Sequence, residues 1–366
     1  MKYLIAALLV SSCSTFRSPS SIDDPQAVSF RSPNLEKEYL RETYSHLSDE
    51  AFETKFQLSL ERPLLFYRSY VNTFYTETQI RGLLNKSTAC YGDAHPENFG
   101  YISFNKKPRY VFNDIDDSGN CPVGLDILRY FAALKLTDIS EEDFEKLAEL
   151  FESYVEGTRE ESLKFDLPDL ARENDKNLKK YTLKDQFLVK PNLELLTETE
   201  KRRIFPLIQN QLVGLEVLDI ATYTKSDGGS GGLKRYWLIV KNNKGHRELI
   251  EFKEQVRPAV SLTGVTQDFV RTATPRYIWG AFPDYYGYVT FDKTLFLTRT
   301  KADDFINLGN LSQKDQFKVL SYQVYLIAKF HQKSLQSIGG IKAQWIIKNS
   351  KRVSQRYIDA FNAYRN

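Results

Sequence analysis

The chain reads as α+β in two lobes. Apolar residues recur at helical spacing in blocks near both ends, and a block of segments rich in branched and aromatic residues lies between them. About 330 residues beyond the N-terminal segment are more than one hydrophobic core usually serves. A hydrophobic content of 42% with 27% charged residues is that of an ordinary globular chain, which removes disorder as the default expectation. A net charge of +3 is too mild to argue for nucleic acid as a partner. The basic stretch Lys176–Lys184 alternates with Asp, Asn and Leu, as a solvated helix face does.

At the N-terminus, Met1-Lys2 supplies a minimal positive charge, and Tyr3–Val10 is an apolar run too short to span a bilayer. Val10-Ser11-Ser12-Cys13 resembles the lipobox of bacterial lipoproteins, in which small residues admit the peptidase and the Cys thiol carries the lipid. The resemblance implies a signal peptide over 1–12, lipidation of Cys13 and attachment to a membrane of the cell envelope. Ser14, rather than Asp, after the Cys resembles lipoproteins of the outer membrane that face the periplasm. The run Ser14–Ser21 begins a flexible tether that extends to residue 35. The competing reading is an N-terminal strand or helix of the fold itself.

Helical spacing covers Leu35–Leu60 and Leu64–Ile80, with Pro63 breaking the chain between them. A short hydrophobic strand leads into Tyr91–Gly100, and Tyr110-Val111-Phe112 reads as the end of another. Asp126–Leu136 and Ser140–Phe165 look like a helix pair, the second opened by Ser140-Glu141-Glu142-Asp143 in capping-box style. Thr197–Leu212 reads as helix despite Pro206. Strands follow at Leu215–Thr224, Leu233–Val240 and Arg247–Val256, the last entered through an Asn242-Asn243-Lys244-Gly245 turn. Helices Gln316–His331 and Lys351–Tyr364 close the chain. The expected organisation is a mainly helical segment over 36–214, a β-rich one over 215–300 and a helical one over 301–366, with no internal repeat.

The most informative residues are Tyr91-Gly92-Asp93-Ala94-His95-Pro96-Glu97-Asn98-Phe99-Gly100 and Phe112-Asn113-Asp114-Ile115-Asp116-Asp117. Five positions separate Asp93 from Asn98, so one loop can aim a proton acceptor and an amide oxygen into one cavity, and Asp114 follows at a strand end. An Asp base, an Asn oxygen and a second Asp are what Mg-dependent phosphoryl transfer needs. The base takes the acceptor's proton, and hard oxygen ligands hold the metal on the phosphates. Taken singly, each residue fits a polar turn or a helix cap.

Together they resemble the catalytic region of aminoglycoside phosphotransferases and other kinase-like enzymes, where a Gly-Asp-x-His-x-x-Asn loop precedes a strand ending in the metal-binding Asp. Asp114, Asp117, Gly119, Pro122 and Asp126 resemble the run that follows in those enzymes, with Pro122 one place early. Closer still, Gly92–Gly100 and the segments Phe112–Asp117 and Gly124–Tyr130 resemble a bacterial family catalogued as domain of unknown function 2252, over most of Glu61–Ser334. The resemblance implies a two-lobed protein-kinase-like fold with Asp93 as base and Asn98 and Asp114 as Mg ligands. Asp116 or Asp117 can replace Asp114, and His95 orients the loop rather than binding metal.

A second constellation, Ser226-Asp227-Gly228-Gly229-Ser230-Gly231-Gly232, joins two strands, and the next strand carries Lys253. Gly228, Gly229, Gly231 and Gly232 would let backbone amides approach phosphate oxygens with Lys253 as their charged partner; otherwise they are a flexible loop. Kinases place these elements before the catalytic Asp, whereas here they follow it, so if both serve one site the chain is circularly permuted or its small lobe was transplanted. No helix Glu is evident to hold Lys253: Asp268 and Glu254 are the nearest candidates. His331, on an apolar helix, reads as a core histidine. Cys90 and Cys121 flank the acidic site, and a disulfide or two buried thiols are equally open.

No His-Glu-x-x-His, Cys-x-x-Cys pair or Gly-x-Ser-x-Gly appears, which removes zinc and serine-hydrolase chemistry. The expected function is transfer of a phosphoryl group from ATP or another nucleotide, with Mg, to a hydroxyl of an unidentified small molecule or protein. The alternative is a catalytically idle, lipid-anchored envelope protein that binds through the same cleft, since ATP is scarce outside the cytoplasm.

Overall fold

The computed structural model describes residues 28–30, 35–163, 168–210, 212–225, 230–260, 275–291, 293–301 and 305–365. Cys13, Gly228, Gly229 and Asp268 lie outside them. The fold is a mixture of helix and sheet, as the α+β expectation required.

The helical segments follow the sequence pattern but break where caps dictate. Leu35–Leu60 is two helices, Lys37–Thr43 and Asp49–Ser59, because Ser48 starts the second by accepting the Ala51 amide hydrogen on Oγ at 3.1 Å. Pro63 opens Pro63–Ser69 at the first helical position, where no N–H is required. Val71–Glu77 then gives way to an extended Thr78–Ile80, which pairs with Val28–Phe30. Glu141–Glu156 stops well before Phe165 because Gly157 adopts a left-handed cap at φ 78°. Ser140 caps that helix through the Asp143 amide alone, and the reciprocal capping box occurs instead at Thr197 and Glu200.

Val123–Leu134 is buried along its whole length, and ten of its twelve residues are uncharged and mostly apolar, as a central helix requires. Glu141–Glu156, Gln313–Gln336 and Ala343–Arg365 surround it and share its core with the N-terminal helices. Among the described residues no helix is long and apolar enough to cross a membrane.

The remaining body is a six-stranded antiparallel sheet in the spatial order Gly287–Phe291, Thr294–Thr300, Arg247–Glu254, Arg235–Asn242, Leu215–Tyr223, Leu193–Leu195. Ile204 and Ile208 of helix Glu198–Gln209 cover one face, over Ile220, Leu238 and Phe252. Leu178 and Tyr181 of helix Leu170–Tyr181 cover the other, over Ala221, Trp237 and Leu249. The sheet and its covering helices thus draw on chain well before Leu215. Three strands of this sheet were not read from the sequence: Leu193–Leu195, Gly287–Phe291 and Thr294–Thr300. Leu193–Leu195 is too short for a period, and in Thr294–Thr300 the run Leu295-Phe296-Leu297 supplies both covered faces at once, which erases alternation.

Candidate functional site

The acidic residues meet because a hairpin folds them together. Phe99–Phe104 pairs with Lys107–Phe112, with Phe99 opposite Phe112. Asn98 and Asn113 therefore flank the open end of the hairpin, joined by the Asn113 N–H donating to the Asn98 carbonyl at 2.9 Å, and Asp114 is the next residue. At the closed end Asn105 and Lys106 both take positive φ, the geometry of a tight primed turn. Asp284 accepts both of their amide hydrogens, at 3.1 and 2.8 Å, and so holds Lys106 in a conformation its side chain does not favour.

The loop before the hairpin is fixed by Asp126, which is fully buried in the first turn of Val123–Leu134. Its carboxylate accepts the amide hydrogens of Tyr91 at 2.9 Å and Gly92 at 3.0 Å, and lies 2.8 Å from His331 Nε2. His331 is thus a core histidine, as its apolar helix suggested, paired through Nε2 while its buried Nδ1 has no hydrogen-bond partner among the described residues. Strand Ser87–Cys90 pairs with Gly119–Pro122, and Cys90 is disulfide-bonded to Cys121, so the loop entrance is tied covalently to the exit of the carboxylate cluster.

These constraints place Asp93, Asn98, Asp114, Asp116, Asp117 and Lys253 around one cleft. Asn98 Nδ2 donates to the Asp93 carbonyl at 2.9 Å, which leaves its Oδ1 as the atom the residue can offer a ligand. Arg129 Nη2 lies 2.7 Å from Asp93 Oδ1, and His95 Nε2 lies 3.5 Å from Oδ2. Burial raises the Asp93 pKa, but the charges of His95 and Arg129 outweigh it and hold the carboxyl well below its usual range. Burial, followed by the Arg68 charge, lowers His95 to about 4, so at neutral pH Arg129 is the cation that keeps Asp93 ionised. His95 Nδ1 accepts the Glu97 amide hydrogen, consistent with an orienting rather than a ligating role.

Lys253 reaches across from the sheet. Its Nζ is 3.3 Å from both oxygens of Asp114 and also pairs with Asp116 Oδ2. Asp114 and Asp116 are therefore the acidic partners that the sequence left unassigned; Glu254 instead accepts the Lys234 amide hydrogen at 2.8 Å. Burial raises the Asp114 pKa, but Lys253 lowers it further, to well below the usual carboxylate range. Asp116 Oδ1 is buried with no hydrogen-bond partner among the described residues. Tyr44, His46, Arg68 and Asn72 face this cleft from the N-terminal helices, and Lys225, Ser230 and Arg257 from the sheet side. Gly231 and Gly232 lie beside Ser230; Gly232 turns with φ +87° and donates its N–H to the Lys225 carbonyl at 2.8 Å. The space open to water within the cleft is about 60 Å³, enough for an ion with a few waters.

Residues 47–160 match the model of a family described as an uncharacterized protein conserved in bacteria (DUF2252). The match bears out the family resemblance over the loop, the hairpin and helix Val123–Leu134, and ends before Lys253. Neither a curated protein nor a solved structure matches the chain.

Asp117 stands apart from its neighbours. Burial, then the charge of Asp93, pushes its carboxyl up to about 7, although its Oδ1 accepts the Ala259 amide hydrogen at 2.8 Å. The native state thus holds a proton that the unfolded chain releases near the ordinary Asp value of about 4. The stability contributed by that proton is complete below about pH 4 and lost as pH rises toward about 7. Asp117→Asn should therefore gain on the wild type as pH rises through this window, measured by urea denaturation at several pH values without Mg. Parallel curves for the two proteins would rule out titration of Asp117 there.

Proposed function

We propose that the protein is a kinase-like phosphotransferase, its helical body and its sheet forming the two lobes of a permuted kinase-like fold. The observation that supports this most is the meeting of Lys253 with Asp114, 139 positions away, in the cleft that also holds Asp93 and Asn98. Neither a turn nor a helix cap calls for that convergence.

The donors suit Mg. Asp114 and Asp116 are hard oxygen ligands, Asp116 Oδ1 is unsatisfied, and Asn98 has Oδ1 to add. When bound, Mg would offset the negative charge of the nucleotide phosphates. Lys253 would release the carboxylates and pair with phosphate, with Gly228, Gly229, Gly231 and Gly232 bringing backbone amides over it. Asp93 would accept the proton of the acceptor hydroxyl as its oxygen bonds to phosphorus and the nucleoside diphosphate leaves. A nucleotide pocket normally has several hundred Å³, so the cleft has to open from its present volume of about 60 Å³.

The Cys90–Cys121 bridge favours an oxidising compartment, in keeping with a lipid on Cys13 and an envelope location. That setting keeps the second reading in play: a binding protein that uses the same cleft without turnover. Calorimetry with Mg-ATP and Mg-GTP tests the first reading directly. Lys253→Ala and Asp114→Asn should each weaken nucleotide binding, and the double variant should lose less than their sum by roughly 0.5–3 kcal/mol. Strict additivity, or no binding by the wild type, counts against a shared phosphate site.

A further inference from the structure

Helix Val123–Leu134 carries two charged residues in an otherwise apolar sequence, Asp126 and Arg129, one turn apart and both fully buried. Asp126 has a structural duty to the backbone of the loop. Arg129 is placed differently. Its Nε and Nη2 both donate to the same oxygen, Asp93 Oδ1, at 3.2 and 2.7 Å. Nη2 also donates to the Tyr67 carbonyl at 3.1 Å. The guanidinium carbon lies 3.8 Å from the centre of the Tyr67 ring and 5.2 Å from that of Phe74, so both rings pack against the group. Nη1 has no hydrogen-bond partner among the described residues.

A fully buried guanidinium with an unused donor is a poor way to stabilise a core, since apolar residues of similar volume usually serve as well or better. Its geometry serves Asp93 instead. We infer that Arg129 is a positioning residue: it engages Oδ1 from a rigid support and leaves Oδ2 as the oxygen with which Asp93 meets the acceptor. His95 Nε2 lies 3.5 Å from Oδ2 and accepts the Arg68 Nε hydrogen at 3.1 Å. Lys at position 129 would keep the charge but lose the planar fork and the contact with the Tyr67 ring.

This inference rests on the phosphotransfer reading, with Asp93 as base. The test is Mg-ATP turnover by the full chain with water as acceptor, for the wild type, Arg129→Lys, Arg129→Gln, Asp93→Asn and Asp93→Asn/Arg129→Gln. Misplacing a reacting group by about an ångström costs on the order of 100-fold, so Arg129→Gln should lower kcat by about that factor with KM for ATP little changed. Arg129→Lys should recover part of the loss, and Arg129→Gln should cost nothing further once Asp93 is Asn. An equal loss in both backgrounds, or a rise in KM that matches the fall in kcat, overturns the inference in favour of a structural role. If Arg129→Gln fails to show a cooperative melt, Arg129→Lys decides alone, and wild-type kcat in that variant overturns the inference. A wild type that turns over nothing overturns the phosphotransfer reading and this inference with it, whereas an active wild type matched by active Arg129 variants overturns only the latter.

Discussion

Asp93→Asn should lower turnover by roughly 10²–10⁴-fold, the usual contribution of a general base, while nucleotide affinity stays near the wild-type value. The two effects separate because the side chain and the main chain of Asp93 do different work. Asn98 is held by the Asp93 carbonyl, which the substitution leaves in place. Lys253 pairs with Asp114 and Asp116, not with Asp93, so the phosphate-binding groups keep their partners. What is lost is an ionised oxygen able to take a proton. The variant also leaves the Arg129 charge without its carboxylate, and breaking a buried pair from one side typically costs about 3–5 kcal/mol. Thermal melting should accordingly show a less stable but cooperatively folded protein. Calorimetry and turnover on the same sample decide the matter. A parallel collapse of binding and rate would make Asp93 a ligand anchor or a structural residue rather than the base.

How much of this was legible in the sequence depended on how far each interaction reaches along the chain. Asp93, Asn98 and Asp114 lie on a loop and one hairpin, so spacing alone could bring them together, and the register of Phe99 with Phe112 does so. Lys253 was readable because it sits on the second strand after a glycine run. Its partners were not, because a charge pair spanning 139 positions leaves no local trace, and both Asp114 and Asp116 already had a candidate role. Arg129 was missed for a different reason. Val123–Leu134 is so apolar that it reads as plain core, and its start was placed at Asp126. The available signal was the anomaly itself: two charges one turn apart in a helix with no polar face, which seldom occurs unless both are paired. In the sheet, the three strands between Leu215 and Val256 were found, whereas the three-residue Leu193–Leu195 and the late strands Gly287–Phe291 and Thr294–Thr300 were not.

Gly92→Ala should be among the most damaging single substitutions in the protein, although it removes no charge and no hydrogen-bonding group. Gly92 holds φ at +92°, a conformation that side chains rarely adopt. The added Cβ would lie 2.1 Å from the Asp117 carbonyl oxygen, 2.4 Å from its carbon and 2.9 Å from the Ser118 nitrogen. All three are backbone atoms of the carboxylate cluster, held in place by the Cys90–Cys121 bridge and by Cys90 pairing with Gly119. Gly92 itself is held by Asp126 on its N–H and by the Tyr75 hydroxyl on its carbonyl, so it cannot back away. The strained φ contributes about 1–2 kcal/mol and the overpacking about 1–3 more, a loss of roughly 2–5 kcal/mol. Any relaxation must also move Asp93 away from Asp117 and its neighbours, so activity should fall beyond what stability alone explains. Gly232→Ala is the control. It too has a positive φ, but its Cβ would meet the end of the Leu47 side chain at 2.8 Å, a group that can swing aside. Its cost should stay near the conformational share of about 1–2 kcal/mol. Melting curves for both variants test the contrast. If Gly92→Ala melts no lower than Gly232→Ala, the close approach of the Asp93 loop to the Asp117 backbone is not what holds the two halves of the acidic site together.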